Sequence, residues 1–172
     1  MPANPASDTI VLVGAHYDSV PGTPGADDNA SGVAALLECA RLTALLETPA
    51  ATAFVAFNRE EDGLLGSADF VATYLPNSSL NFEAVHMLEM IGYCKRSQGS
   101  QRVPQGLPIV VPSVGDFIGT LGNRESNHLV DMVLTKAATY VPELSALGLK
   151  VYLGVEILLP VLARSDHDPF GG

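Results

Sequence analysis

Apolar and polar positions along the chain follow two rhythms. Thr9 to Ala15 (Thr-Ile-Val-Leu-Val-Gly-Ala) is a near-continuous apolar run, the pattern of a strand buried on both faces. From Ser31 onward, Val33, Leu36, Leu37, Ala40 and Leu45 recur at helical spacing. Asn29 or Ser31 can cap that helix, and Thr48-Pro49 is expected to end it. Thr52 to Phe57 predicts a second buried strand. Gly66-Ser67 opens a helix through Tyr74, stopped by Pro76, and Phe82 to Met87 predicts a third strand. Beyond it, residues 92–108 are polar, hold Lys95, Arg96 and Arg102, and read as a long surface loop or pocket wall. Ile109 to Pro112 predicts a short strand. Residues 125–140 carry a helical pattern through Leu129, Met132, Val133 and Ala137. Pro160 to Arg164 leads into Ser165-Asp166-His167-Asp168-Pro169-Phe170. No internal repeat or low-complexity tract is present.

The polar residues gain meaning from where the apolar runs stop. The first strand ends on His16 and Asp18, followed by a Gly- and Pro-rich loop and the pair Asp27-Asp28. The second runs into Asn58-Arg59-Glu60-Glu61-Asp62-Gly63, and the third delivers Glu89. Alternating strands and helices predict an open α/β sheet. In such a sheet the carboxyl ends of the strands share one edge, where ligands bind.

Composition narrows the classes. The 172 residues fit one domain with a substantial core. Net charge is −10, which argues against a nucleic-acid partner, since that would need a basic face. No segment reaches the roughly 18 uninterrupted apolar residues of a membrane span, and residues 1–8 lack the basic start and apolar core of a signal peptide. The two cysteines, Cys39 and Cys94, form neither a disulfide framework nor a Cys-based zinc site.

The acids sit in clusters, and clustered carboxylates repel one another unless a cation compensates them. His16 and Asp18 are two apart, so on an extended chain they face the same side. A metal-bound His usually gives its other ring N–H to an oxygen acceptor, and Asp18 can be that acceptor or a ligand itself. Of Asp27 and Asp28, adjacent side chains that point apart, one is the expected ligand and the other a structural acceptor; spacing does not choose. Of Glu60 and Glu61, one binds metal and the other takes a proton from water. Glu89 is flanked by apolar residues, and His167 is the expected last ligand. Each has an ordinary structural explanation alone. Together they give two His and several carboxylates on loops at one sheet edge, a donor set that suits zinc. Two dications balance three carboxylates and a hydroxide. His86 and His128 are read as structural.

The matching segments are His16-Tyr17-Asp18-Ser19, Gly25 through Gly32, Phe57 through Ser67, Glu89-Met90-Ile91-Gly92-Tyr93 and Ser165-Asp166-His167. In that order they resemble the di-zinc aminopeptidase family of metallopeptidase clan MH, whose relatives include glutaminyl cyclases and glutamate carboxypeptidases. The resemblance implies a three-layer α/β/α fold with a mixed, mostly parallel sheet and the metal site at its strand C-terminal edge. It implies that Asp28 bridges two Zn2+ ions, that His16 and Glu89 complete one and Glu61 and His167 the other, with Glu60 as general base and Asp18 holding His16. The implied substrates are peptides with a free N-terminus, in a secreted or periplasmic setting. Members of the family often carry Asp at the position of Glu89. The family usually continues past Ser-Asp-His into another strand and a helix and starts with more sheet. Residues 1–172 are therefore read as a single catalytic domain trimmed at its C-terminal side, with trimming at the N-terminal side left open. A single-zinc glutaminyl cyclase-like acyltransferase and an inactive truncated relative are the competing readings.

Overall fold

The computed structural model describes residues 9–48, 50–101, 111–152 and 165–171, which fall into two compact units, residues 1–92 with 164–172, and residues 93–163.

In the first unit, β1 (Thr9–His16) lies between β2 (Ala51–Phe57) and β3 (Asn81–Met87), both parallel to it. The central position explains the sequence: a strand hydrogen-bonded on both edges and covered on both faces has no use for polar side chains. Leu12 and Ala15 are fully buried there. His16 is level with Phe57, and Gly14 with Met87, so the three strands end together. The ladders run one bond further, through Tyr17 N to Phe57 O (3.0 Å) and Leu88 N to Gly14 O (2.8 Å).

Helix α1 (Ala30–Thr43) joins β1 to β2. Asn29 is its N-cap, with Oδ1 accepting from the Gly32 amide at 3.1 Å. The helix ends at Thr43, earlier than the expected stop at Thr48-Pro49. Bonds from Leu45 N to Leu42 O and Leu46 N to Thr43 O tighten the chain into a closing turn. Leu45 and Leu46 are exposed, so no packing carries the helix on.

After β2, α2 (Leu65–Asp69) continues as a π-helical turn (Phe70–Tyr74) and a 3-10 turn (Leu75–Asn77). Pro76 thus lies inside the helical run, where its missing N–H costs nothing in a fresh first turn. Phe70 meets Phe57, Phe82, Tyr74 and Phe170 in one aromatic cluster, with ring centroids 4.9 to 6.4 Å from Phe70. Phe170 belongs to the 3-10 turn Asp168–Gly171, so the segment carrying Ser165 to His167 is seated on the same unit.

The second unit holds β4 (Phe117–Gly122), α3 (Asn127–Tyr140) and β5 (Ser145–Lys150), with β4 and β5 parallel. Helix α3 starts at Asn127, inside the predicted span. Asn127 bonds both backbone groups of Val151, donating from Nδ2 to the carbonyl (2.7 Å) and accepting at Oδ1 from the amide (3.0 Å). Strands β4 and β5 were not foreseen. Of the predicted strand at residues 109–112, positions 109 and 110 lie outside the described residues, and 111 and 112 are not in a strand. The fold is α/β with parallel pairing throughout the named strands; the one antiparallel pairing among the described residues is an isolated bridge, Lys95 with Gly115. No described helix is long and apolar enough to cross a membrane.

Candidate metal centre

The strand order β2-β1-β3 makes β1 the point at which the chain reverses its direction of travel across the sheet. At such a switch point, loops from neighbouring strands diverge and leave a crevice at the strand carboxyl ends. His16, the last residue of β1, stands there with its side chain only 1% exposed. Polar groups this deeply buried require partners, and His16 has them on both ring nitrogens.

Nδ1 faces Asp18, 3.2 Å from its carbonyl oxygen and 3.4 Å from Oδ1. The Asp18 carboxylate reaches further: Oδ1 accepts from the Glu60 amide and Oδ2 from the Glu61 amide, both at 3.2 Å. One side chain thereby ties the end of β1 to the loop after β2. An Nδ1–H given to Asp18 leaves Nε2 with its lone pair outward.

Three carboxylates surround that Nε2. Glu89 Oε1 lies at 3.1 Å, Asp28 Oδ1 at 3.2 Å and Glu60 Oε2 at 4.0 Å. His16, Glu60 and Glu89 each present a ligand atom within 4.8 Å of the others. Ser165 Oγ donates to the second oxygen of Glu89 at 2.9 Å.

The cluster draws positive charge toward itself. Burial pulls the His16 imidazole down, but the hydrogen bond and charge of Glu89, with Glu60 and Asp28, carry it up to about 9. Glu60 is pushed up to about 7 by burial and by Glu89, Asp166 and Glu61, against the opposing pull of His16. Asp28 is raised by burial, then by Glu89 and Asp27. Glu61 is raised by burial and by the charges of Asp28 and Asp18. Asp166 is raised by burial, then by Glu89 and Asp18.

Two of these acids hold buried carboxylate oxygens without a hydrogen-bond partner, Glu61 Oε1 and Asp166 Oδ2. The other oxygen of Asp166 accepts from Ser67 Oγ, and Ser67 also donates to the Leu64 carbonyl. Asp166 and Ser67 belong to the matching segments, but sequence reasoning gave neither a role. Their signal is full burial, which composition and spacing do not report.

The expected site residues therefore fall into two sets. Asp18, Asp28, Glu60 and Glu89 each bring a carboxylate within 4.0 Å of a ring nitrogen of His16. Glu61 is adjacent, pinned through its amide. His167 accepts at its carbonyl from the Phe170 amide, and its ring makes none of the described contacts with the cluster. Of Asp27 and Asp28, only Asp28 faces His16; Asp27 Oδ1 instead accepts from the Gly92 amide at 2.8 Å. His128 is exposed on α3, and His86 is half-buried on β3; neither joins the cluster.

The model of peptidase family M28 matches residues 1–136, a span that contains His16, Asp28, Glu60, Glu61 and Glu89. The protein named "Uncharacterized protein YfbL" of Escherichia coli (strain K12) is 36% identical over 95% of this chain and 52% of its own length. Aminopeptidase YwaD of Bacillus subtilis (strain 168) is 43% identical over 53% of this chain and 20% of its own. Among solved structures, the aminopeptidase from Aneurinibacillus sp. strain AM-1 superposes with a TM-score of 0.63 at 25% identity, covering 98% of this chain and 34% of that one. The chain thus spans about half the length of YfbL, and its matches cover 20% and 34% of the two aminopeptidases. With four-fifths of its residues under the family model, this chain belongs to peptidase family M28.

Proposed function

We propose that this chain carries the metal centre of a zinc exopeptidase that removes residues from the free N-terminus of peptides. The observation that carries the reading is the convergence of three carboxylates on His16 Nε2. An imidazole nitrogen with its other N–H engaged, set among oxygen donors, is the ligand chemistry of a zinc site with open positions. The unpartnered, buried Glu61 Oε1 fits the same group, because a cation satisfies an acceptor that no donor reaches.

In this reading His16, Asp28 and Glu89 hold one zinc, and Asp28, Glu61 and His167 hold a second. Bound zinc ions supply Lewis-acid polarisation of a carbonyl and a lowered pKa of water. Glu60 is the general base. Its carboxylate takes the proton of the attacking water and passes it to the leaving amine. Asp18 fixes both His16 and the Glu60 backbone, so the base and the imidazole keep one spacing. The excess of carboxylates suits a substrate that brings its own positive charge, the α-ammonium group of a peptide.

The test is metal analysis with a kinetic assay. Purified protein is expected to bind about two zinc ions per chain and to hydrolyse aminoacyl-anilides, losing that activity to a chelator and regaining it with zinc. Folded protein that takes up no zinc would overturn the reading. One zinc with cyclisation of N-terminal glutamine would assign the chain to acyl transfer instead.

A further inference from the structure

Three side chains at alternate positions of one segment, from the loop after β1 into the first turn of α1, end on the backbone that follows β3. Asp27 Oδ1 accepts from the Gly92 amide at 2.8 Å. Asn29 Oδ1 accepts from the Met90 amide at 3.2 Å, and its Nδ2 donates to the Leu88 carbonyl at 2.9 Å. Ser31 Oγ accepts from the Ile91 amide at 3.1 Å and donates back to Asp27, 2.8 Å from its carbonyl and 3.1 Å from Oδ1. The backbone groups engaged belong to Leu88, Met90, Ile91 and Gly92. The residue they bracket is Glu89.

None of these bonds belongs to a ladder, since β3 ends at Met87. Nor is helix capping a sufficient account, because capping α1 uses only the Asn29–Gly32 bond. The loops are in contact at the limit of approach: a Cβ on Gly92 would stand 2.6 Å from Ser31 Cβ. Met90 is held at φ +47, a conformation that a non-glycine residue rarely adopts unsupported. Asp28 sits between two of the engaged residues and Glu89 between the backbone groups they engage. Their carboxylates meet at His16 Nε2, at 3.2 and 3.1 Å.

We propose that Asp27, with Asn29 and Ser31, is a positioning residue of the metal centre: its carboxylate binds no ion but fixes the spacing of Asp28 and Glu89 through the Gly92 amide. The proposal rests on the reading of the cluster as a zinc site. It gives the adjacent aspartates opposite tasks, one turned to the imidazole and the other spent on backbone. An amide that loses the acceptor tying its segment to a neighbouring one leaves that segment free to move, and misplacing the partners that orient metal ligands typically costs roughly 10–100-fold in metal affinity.

The experiment compares Asp27→Ala, Asp27→Asn and Ser31→Ala with the parent, by zinc titration against a competing chelator and by hydrogen exchange of the Ile91 and Gly92 amides in metal-free protein. Asp27→Asn keeps an acceptor and loses the charge. Asp27→Ala is expected to lose about tenfold or more in zinc affinity and to expose the Gly92 amide to exchange, with Asp27→Asn close to the parent on both counts. Ser31→Ala is expected to free the Ile91 amide with a smaller loss of affinity. Equal weakening in Asp27→Ala and Asp27→Asn would overturn the proposal, because charge would then matter and the acceptor would not. Parent-like zinc binding in Asp27→Ala would overturn it as well. Should the parent bind no zinc, the metal reading fails by itself. The exchange data then decide separately whether Asp27 holds residues 88–92: faster Gly92 exchange in Asp27→Ala alone supports it, and unchanged exchange refutes it. Should Asp27→Ala fail to fold, Asp27→Glu decides, since it keeps the charge and moves the acceptor away from the Gly92 amide. Faster Gly92 exchange with parent-like zinc affinity in that variant would refute the proposal.

Discussion

Strands β1 and β4 both run into a loop and a helix, and both pair in parallel with the strand that follows. Their surroundings differ. β1 is hydrogen-bonded on both edges and is followed by a long acidic loop at residues 17–29. β4 has one described neighbour, β5, and a short loop at residues 123–126. Among the described residues, the buried polar side chains His16, Asn29, Ser67 and Asp166 all belong to the first unit, while the buried residues of the second are Val130, Leu149 and Val151. The loop bonds differ in kind too. Asn123 Oδ1 accepts from the Ser126 amide three residues away, and Asp18 accepts from residues 42 and 43 positions away. A β–α–β unit alone does not make a site. A central strand at which the chain reverses does, because it gathers three loop starts onto one edge.

The strongest way to break that contrast is at the proposed base. Glu60→Gln removes proton transfer while keeping size, and turnover is expected to fall by roughly 10²–10⁴ with zinc content and melting temperature near the parent's. The matched change Glu125→Gln, in the loop after β4, is expected to leave turnover as it was. Steady-state kinetics with zinc analysis checks both. Equal losses would mean that the cluster after β1 has no privileged role.

Packing gives the next largest effect. Leu12 is 0% exposed on the central strand, and Leu12→Ala is expected to cost about 2–5 kcal/mol of unfolding free energy in a denaturant titration. Leu149→Ala, on a strand with a single described partner, should fall at the low end of that range or below it. The reverse order would show that the second unit, not the central strand, dominates stability.

Those strands also differ in how well the sequence announced them. The runs Thr9–Ala15, Thr52–Phe57 and Phe82–Met87 lie within a residue or so of β1, β2 and β3, but only the central β1 has the coverage its apolar run predicts: β2 exposes Ala51 and Ala56, and β3 exposes Asn81 and Glu83. Phe117–Gly122 and Ser145–Lys150 escaped because glycines interrupt them, and glycine reads as a break in a strand. Packing calls for two of those glycines, Gly122 and Gly148, while Gly119 has room for a Cβ. A Cβ on Gly122 would stand 2.8 Å from Val130 Cγ2, and one on Gly148 would stand 2.8 Å from Val130 Cγ1 and 2.7 Å from Leu134 Cδ1. The residues that let α3 lie close to the sheet are the ones that hid the sheet. The site shows the same divide. His16, Glu60 and Glu89 stood out as charges at the ends of apolar runs. Residue type could not say that Asp27 turns to the Gly92 amide, nor that Asp166 is buried against Ser67, because both depend on contacts distant in sequence.

A subtler contrast concerns a titratable group in the sheet itself. His86 on β3 is level with Val13 on β1, and burial depresses its pKa. The unfolded chain, with a His pKa near 6.5, then binds the proton more readily than the fold does. Stability from this group is fully present above about pH 6.5 and declines as pH falls toward the depressed folded value. His86→Gln is expected to flatten the acid-side decline of stability, measured by denaturation across that range, relative to the parent. An unchanged slope would place the acid sensitivity elsewhere.

The smallest effect probes backbone strain. Among the described residues, the non-glycine positions with positive φ are Arg59, Leu64 and Met90, all in the first unit and all in the loops that carry Glu60, Glu61 and Glu89. Arg59 at φ +61 precedes the proposed base, held by the Leu65 amide on its carbonyl at 3.0 Å. A left-handed conformation costs a non-glycine residue about 1–2 kcal/mol, which Arg59→Gly would relieve. Against that stand the added freedom of the unfolded glycine chain, about 0.4–1 kcal/mol, and the exposed Arg59–Asp62 pair (2.9 Å), a class worth about 0–1 kcal/mol. The terms nearly cancel, so Arg59→Gly is expected within about 1 kcal/mol of the parent. Arg59→Ala loses the same ion pair and keeps the strain. The difference between the two variants therefore isolates the backbone, and glycine should be the more stable by up to about 1.6 kcal/mol in paired denaturation curves. If alanine equals or exceeds glycine, the turn after β2 is relaxed, and the first unit differs from the second in its buried polar groups but not in strain at this position.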